Sequence, residues 1–259
     1  MLVLWDLLLP GYVLTLDMVF GPNIRIWDYI YGLEPSFNSF IAYKLFLKLC
    51  SFILPVWVIE KALMVLAFFL SGVSSHRLCP TESVAGKFFA GFLYMLNPFL
   101  YVRFMAGHLD LILAYALMPF VVKGIIRLLD SHRLRSTVEL TFLLTLVGVL
   151  SLHTLLLALF ALAVLLLVKL VSGFREISIL RNLCVLSISF ALLNIYWIAP
   201  SFTRLQEVAP QISYADLQVF TARNWGTEFN ILFSLASMHG FWRGGYNYIF
   251  NILPLRLFS

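Results

Sequence analysis

Charge is scarce in this chain. Asp, Glu, Lys and Arg make up 12% of its 259 residues, about half of the roughly 25% in an ordinary soluble domain. With 61% hydrophobic residues and a mean hydropathy of +0.93, the chain has more apolar surface than a water-soluble fold can hide. That excludes a cytosolic globular enzyme, a disordered chain and a nucleic-acid binder. Cysteine is scarce too. Cys50, Cys79 and Cys184 lie far apart, with no CxxC and no His/Cys cluster, so neither a disulfide framework nor a zinc site is expected. Gly-rich phosphate loops, nucleophile elbows and HExxH are absent. Met1–Leu16 is not expected to be a normal signal peptide, because it has no basic region and carries Asp6 and Pro10.

Long apolar stretches fill the rest. A spanning helix needs about 20 mostly apolar residues. Candidates are Met1–Leu16, Pro55–Val73, Phe88–Val102, Leu111–Ile126, Val138–Leu152, Thr154–Leu170 and Leu183–Pro200. The expected fold class is therefore all-α, a polytopic membrane bundle of about seven helices. Pro98 and Pro119 fall inside spans, which is tolerable only inside a packed bundle.

The uncharged run Leu140–Val168 is too long for one crossing and too short for two full ones. The connection before it holds Arg127, Arg133 and Arg135; the one after holds Lys169, Arg175 and Arg181. Both read as cytoplasmic by the positive-inside rule. An even number of crossings must separate them, so two short helices turn near Ser151-Leu152-His153. The net charge of +5 then belongs to basic cytoplasmic loops rather than to a polyanion site. By the same parity the N-terminus is cytoplasmic, and everything after Pro200 is extracytoplasmic. The chain is expected in the cytoplasmic membrane.

Residues 17–54 form the first outer loop in this scheme. Within it, Lys44 and Lys48 sit one turn apart, with Phe37, Phe40, Ile41, Leu45 and Leu49 near the opposite side. That pattern predicts an amphipathic helix in the membrane interface; the plainer reading extends the second span. Both ends read as cut, and the segment 201–259 is expected to be incomplete.

The polar residues of interest gather at the outer boundary. Asp17 stands among apolar residues where the first helix should end. A carboxylate in such surroundings suits a general base towards a hydroxyl; equally, it suits a solvated or capping residue. In the second cluster, Arg103 suits a phosphate, or snorkels to headgroups. His108 and Asp110 suit acid/base work or metal ligation, while Asn97-Pro98 suits a helix end. His153 and the Glu60-Lys61 pair read as structural, the pair as an interfacial anchor. Beyond Pro200, Arg223, Trp225, Trp242 and Arg243 suit a sugar-phosphate ligand or an aromatic belt.

The stretch Tyr94-Met-Leu-Asn-Pro-Phe-Leu-Tyr-Val-Arg-Phe-Met-Ala-Gly-His108, followed by Ala114-Tyr-Ala-Leu-Met-Pro-Phe120, resembles a signature of prokaryotic arabinofuranosyltransferase-like proteins in the GT-C superfamily of membrane glycosyltransferases. Gly11-Tyr-Val-Leu-Thr-Leu-Asp17 and Gly21-Pro22 resemble that group's first outer loop. The similarity covers most of residues 1–200, which would form the GT-C-like membrane module.

The resemblance implies an inverting transfer of a sugar from a polyprenyl-phosphate donor to a glycan or glycolipid acceptor on the outer face. Asp17 takes the position of the catalytic carboxylate, and Arg103 and His108 face the donor phosphate. The family's usual acidic pair is reduced to Asp17, with Asp28 eleven residues on and no DxD. No cofactor is assigned, although a divalent metal bridging Asp17 and Asp28 is compatible with the scheme. The rivals are a lipid-linked glycan transporter or flippase, which needs charged groups around a mid-membrane cavity, and a non-catalytic membrane subunit or fragment.

Overall fold

The computed structural model describes residues 6–14, 17, 18, 21–26, 39–130, 133–172 and 177–208, with 213, 214 and 232; side chains 6 and 203–208 are excepted. Among these, α1 spans Ile41–Ser51, α2 Val56–Leu78, α3 Val84–Met95 and α4 Pro98–Ala106. Then follow α5 Leu109–Asp130, α6 Leu134–Leu150, α7 Leu152–Val171 and α8 Ile177–Val208. Five stretches among them are long and apolar enough to cross a bilayer: Val56–Leu78, Val84–Ala106, Leu109–Asp130, Leu152–Val171 and Ile177–Phe202. The chain is an all-α, multi-pass membrane protein.

The hairpin expected at Ser151 is present. α6 ends at Leu150, and the Ser151 hydroxyl caps α7 by accepting from the Thr154 backbone at 3.3 Å. The ion pair between Lys169 Nζ and Asp130 Oδ1, at 2.6 Å, brings the end of α7 to the end of α5. The basic connections flanking the hairpin therefore share one end of the bundle. The single span Phe88–Val102 resolves into α3 and α4, because Asn97-Pro98 interrupts it. Asn97 caps α4 by accepting from the Leu100 N–H at 3.0 Å, and Pro98 occupies the first helical turn.

The first expected span is overturned in its described part. Residues 6–8 make one 3-10 turn and 9–14 form no helix. Pro10 has no N–H to donate, and Gly11 adopts φ 115°, which favours glycine. Two of this segment's backbone groups are satisfied from elsewhere. Val13 N–H donates to Glu60 Oε2 at 3.1 Å, and Lys61 Nζ donates to the Leu7 carbonyl. Glu60 and Lys61, expected as an interfacial anchor, are instead buried and clasp this segment. Residues 6–14 thus supply no crossing of the kind on which the expected cytoplasmic N-terminus rested.

The loop helix forms as α1 and stops at Ser51, separated from α2 by Pro55. Its buried side is Tyr43, Leu47 and Cys50, whereas Leu45, Phe46 and Leu49 are exposed. Two apolar cores hold the bundle. One joins α1, α2, α4 and α5 around Leu47, Met64, Leu100 and Ile112, and also takes in Met18. The other joins α5–α8 around Val121, Ile125, Leu140 and Leu144.

Where helix surfaces meet inside a bilayer, small and polar residues replace the hydrophobic driving force. At the α2–α3 contact, a Cβ on Gly91 would lie 2.7 Å from the Gly72 carbonyl oxygen. Between α6 and α8, Thr141 and Ser189 hydroxyls lie 3.0 Å apart, and Asn194 Nδ2 donates to Thr145 Oγ1 at 2.9 Å.

Candidate functional site

The site stands at the α4–α5 junction, at the end of the bundle opposite the Lys169–Asp130 pair. Gly107 closes α4 in the left-handed region, φ 86°. The Gly107 N–H returns to the Phe104 carbonyl and the His108 N–H to Arg103, both at 3.0 Å. This is the Schellman pattern. It ends the helix while keeping His108 one turn from Arg103. The Asp17 backbone N–H donates to the Ala106 carbonyl at 2.9 Å, one of the carbonyls the ended helix leaves without a partner. Met18 is buried beside it. Loop and junction are thus stitched together by backbone as well as side chain.

Three expected residues meet here. Asp17 Oδ2 lies 2.7 Å from His108 Nε2, and His108 Nδ1 lies 3.4 Å from Arg103 Nη1. A guanidinium only donates, so Nδ1 accepts. Nε2 then carries the imidazole proton and donates to the carboxylate. That tautomer follows from the partners. Arg103 also lies over the Phe99 ring, 5.6 Å from its centroid. The Asp17 side chain is 48% exposed and that of His108 22%, so the carboxylate is open to an incoming molecule.

Asp110 begins α5 and is half-buried, with Oδ1 accepting from the Leu111 N–H at 2.9 Å. Lys44 and His108 are near enough to act on it electrostatically. Burial, with Asp110 adding to it, pushes the Tyr43 hydroxyl far above the ordinary tyrosine range. α1 therefore reaches the site through Tyr43 and Lys44. In the sequence Lys44 marks only the polar side of an amphipathic helix, and its spacing carries no sign of Asp110 as neighbour.

Asn97 braces the junction from behind. Its Nδ2 donates to the Tyr94 carbonyl at 2.8 Å and to the Tyr115 hydroxyl at 2.9 Å. Tyr94 and Tyr115 stack at 4.2 Å, and each hydroxyl donates to the other's carbonyl. The α3–α4 break is thereby pinned to α5.

His153 is exposed at the hairpin tip, on a different connection from the cluster. Asp28, Arg223, Trp225, Trp242 and Arg243 lie outside the described residues. Among the described residues no three His, Cys, Asp or Glu side chains converge as a metal site would require. No family model, no curated protein and no solved structure matches the chain.

Proposed function

We propose that the chain is a membrane glycosyltransferase that moves a sugar from a polyprenyl-phosphate donor to an acceptor hydroxyl on the outer face. The observation that carries the reading is the Arg103–His108–Asp17 chain of contacts. It joins a phosphate-binding type of side chain to an accessible carboxylate through one imidazole. In the reaction, the acceptor oxygen attacks the anomeric carbon and the bond from that carbon to the phosphate oxygen breaks. Asp17 takes the hydroxyl proton, and the polyprenyl phosphate leaves with its charge held by Arg103. His108 is a positioning residue that fixes the carboxylate by donating to Oδ2. Should a divalent metal take part, Asp17 and Asp28 are the carboxylates of this loop that would hold it, and it would supply Lewis-acid stabilisation of the leaving phosphate.

Two further features support this reading over a transporter. The buried charged side chains among the described residues, Glu60 and Lys61, lie near the start of α2 and not at its middle. The basic connections gather at the opposite end, which the positive-inside rule makes cytoplasmic. α1, with one side on the bundle and Leu45, Phe46 and Leu49 exposed, suits an interfacial helix that shelters the donor's head.

The test is transfer of radiolabelled sugar from a prenyl-phosphate donor in membranes. Asp17→Asn keeps the side-chain shape and removes the basicity, so transfer should fall by about 10²–10⁴-fold with expression unchanged. Wild-type transfer by Asp17→Asn would remove the carboxylate from the mechanism.

A further inference from the structure

The opposite end of the bundle carries a second site built from different helices. A cavity of about 390 Å³ opens between α2, α5 and α6. Its polar side holds Arg77, Lys123 and Arg127, against one carboxylate, Glu139. Glu139 is already engaged, by Arg135 Nε at 2.9 Å and by Arg127 Nη1 at 4.0 Å. Lys123 Nζ spends one of its three protons on the Arg77 carbonyl at 2.7 Å, which fixes the ammonium beside the end of α2. No carboxylate pairs with Arg77 among the described residues. The cavity is therefore lined by more positive than negative charge.

The other wall is apolar: Phe120, Phe142, Leu143 and Leu146. Phe142 and Leu146 are 55% and 51% exposed, so this wall continues onto the bundle surface that lies against acyl chains. A cationic rim above an exposed apolar wall is complementary to one molecule with both characters. Inorganic phosphate would use the rim alone. A zwitterionic lipid would bring its own cation into a place that already has three. Basic pockets between membrane helices on the cytoplasmic side are suited to anionic headgroups, and the flanking Arg133, Arg135 and Lys169 put this end on that side.

We propose that this cavity binds the headgroup of an anionic glycerophospholipid, with Arg77, Lys123 and Arg127 on the phosphate and an acyl chain along Phe142 and Leu146. The bound lipid ties the end of α2 to α5 and α6. The inference is independent of the sugar-transfer reading.

The experiment is native mass spectrometry of the detergent-purified chain, titrated with phosphatidylglycerol or phosphatidylcholine of identical acyl composition. Wild type should retain phosphatidylglycerol about ten-fold more tightly. Arg77→Gln and Arg127→Gln should each weaken it by about five-fold, the effect of one basic charge near a lipid surface. Lys87→Gln removes a charge from the start of α3, outside the cavity, and should leave binding unchanged. Equal retention of the two lipids by wild type would overturn the proposal without reference to any variant. So would an equal loss in Lys87→Gln, or displacement of the lipid by excess inorganic phosphate.

Discussion

The Asp17 carboxylate meets the His108 imidazole at 2.7 Å across 91 positions of sequence. Among the described residues, 9–14, 17 and 18 form no helix, and Asp17 is placed by its contacts instead. Its N–H is spent on the Ala106 carbonyl, and its upstream neighbours are held by Glu60 and Lys61. Leu7, Val13 and Asp17 are thus tied to the bundle, the first two by one turn of α2.

The pair should act as a unit in sugar transfer. Asp17→Asn and His108→Ala should each lower the rate, and the double variant should be no slower than the worse single one, because the imidazole has no task once the base is gone. His108→Gln, which can still donate to the carboxylate, should recover part of the loss. Rates that multiply in the double variant would show that the two groups work separately.

Arg103 serves the donor phosphate and the imidazole together in the proposed scheme. Arg103→Lys keeps the charge but removes the planar fork, so it should weaken a prenyl-phosphate analogue by about ten-fold or more. Calorimetry on purified protein in detergent reads this directly. Equal binding by Arg103→Lys and wild type would remove the guanidinium from donor binding.

Stability of the α2–α3 contact should depend on Gly91. A methyl there would sit 2.7 Å from the Gly72 carbonyl oxygen, which is backbone and cannot swing away. Gly91→Ala should therefore destabilise the protein by about 1–3 kcal/mol, the usual cost of overpacking. Gly21→Ala is the matched control, since no atom lies within 4 Å of the added carbon. Thermal unfolding in detergent should show a lower midpoint for the first and no change for the second.

The basic residues flanking the hairpin predict its sidedness by the positive-inside rule. Single cysteines at Arg133 and Ser172, in a background with Cys50, Cys79 and Cys184 replaced, should label from the cytoplasmic side. One at His153 should label from outside with an impermeant maleimide. If positions 133 and 172 react from opposite sides, the paired arrangement of α6 and α7 in the membrane is wrong.

Sequence alone determined the class of the molecule and the break at Ser151. Apolar content is set by composition, and the basic residues flanking Leu140–Val168 fix the parity of crossings without any knowledge of packing. It also marked Asp17, Arg103, His108 and Asp110, because isolated charged and polar groups at the edge of apolar runs stand out. Tertiary structure decided how they meet. Local pattern favoured a helix at Met1–Leu16, since hydropathy cannot register that the buried side chains of Glu60 and Lys61 will bond Val13 and Leu7 instead. It also put the apolar side of α1 on Ile41, Leu45 and Leu49, whereas packing against α2 and α6 selected Tyr43, Leu47 and Cys50. In a membrane protein both sides of a helix meet apolar surroundings, lipid on one and protein on the other, so periodicity loses its power to say which is inside. The Asp17–His108–Arg103 contacts arise from that packing, through a left-handed glycine and a tethered loop whose partners lie far away in sequence.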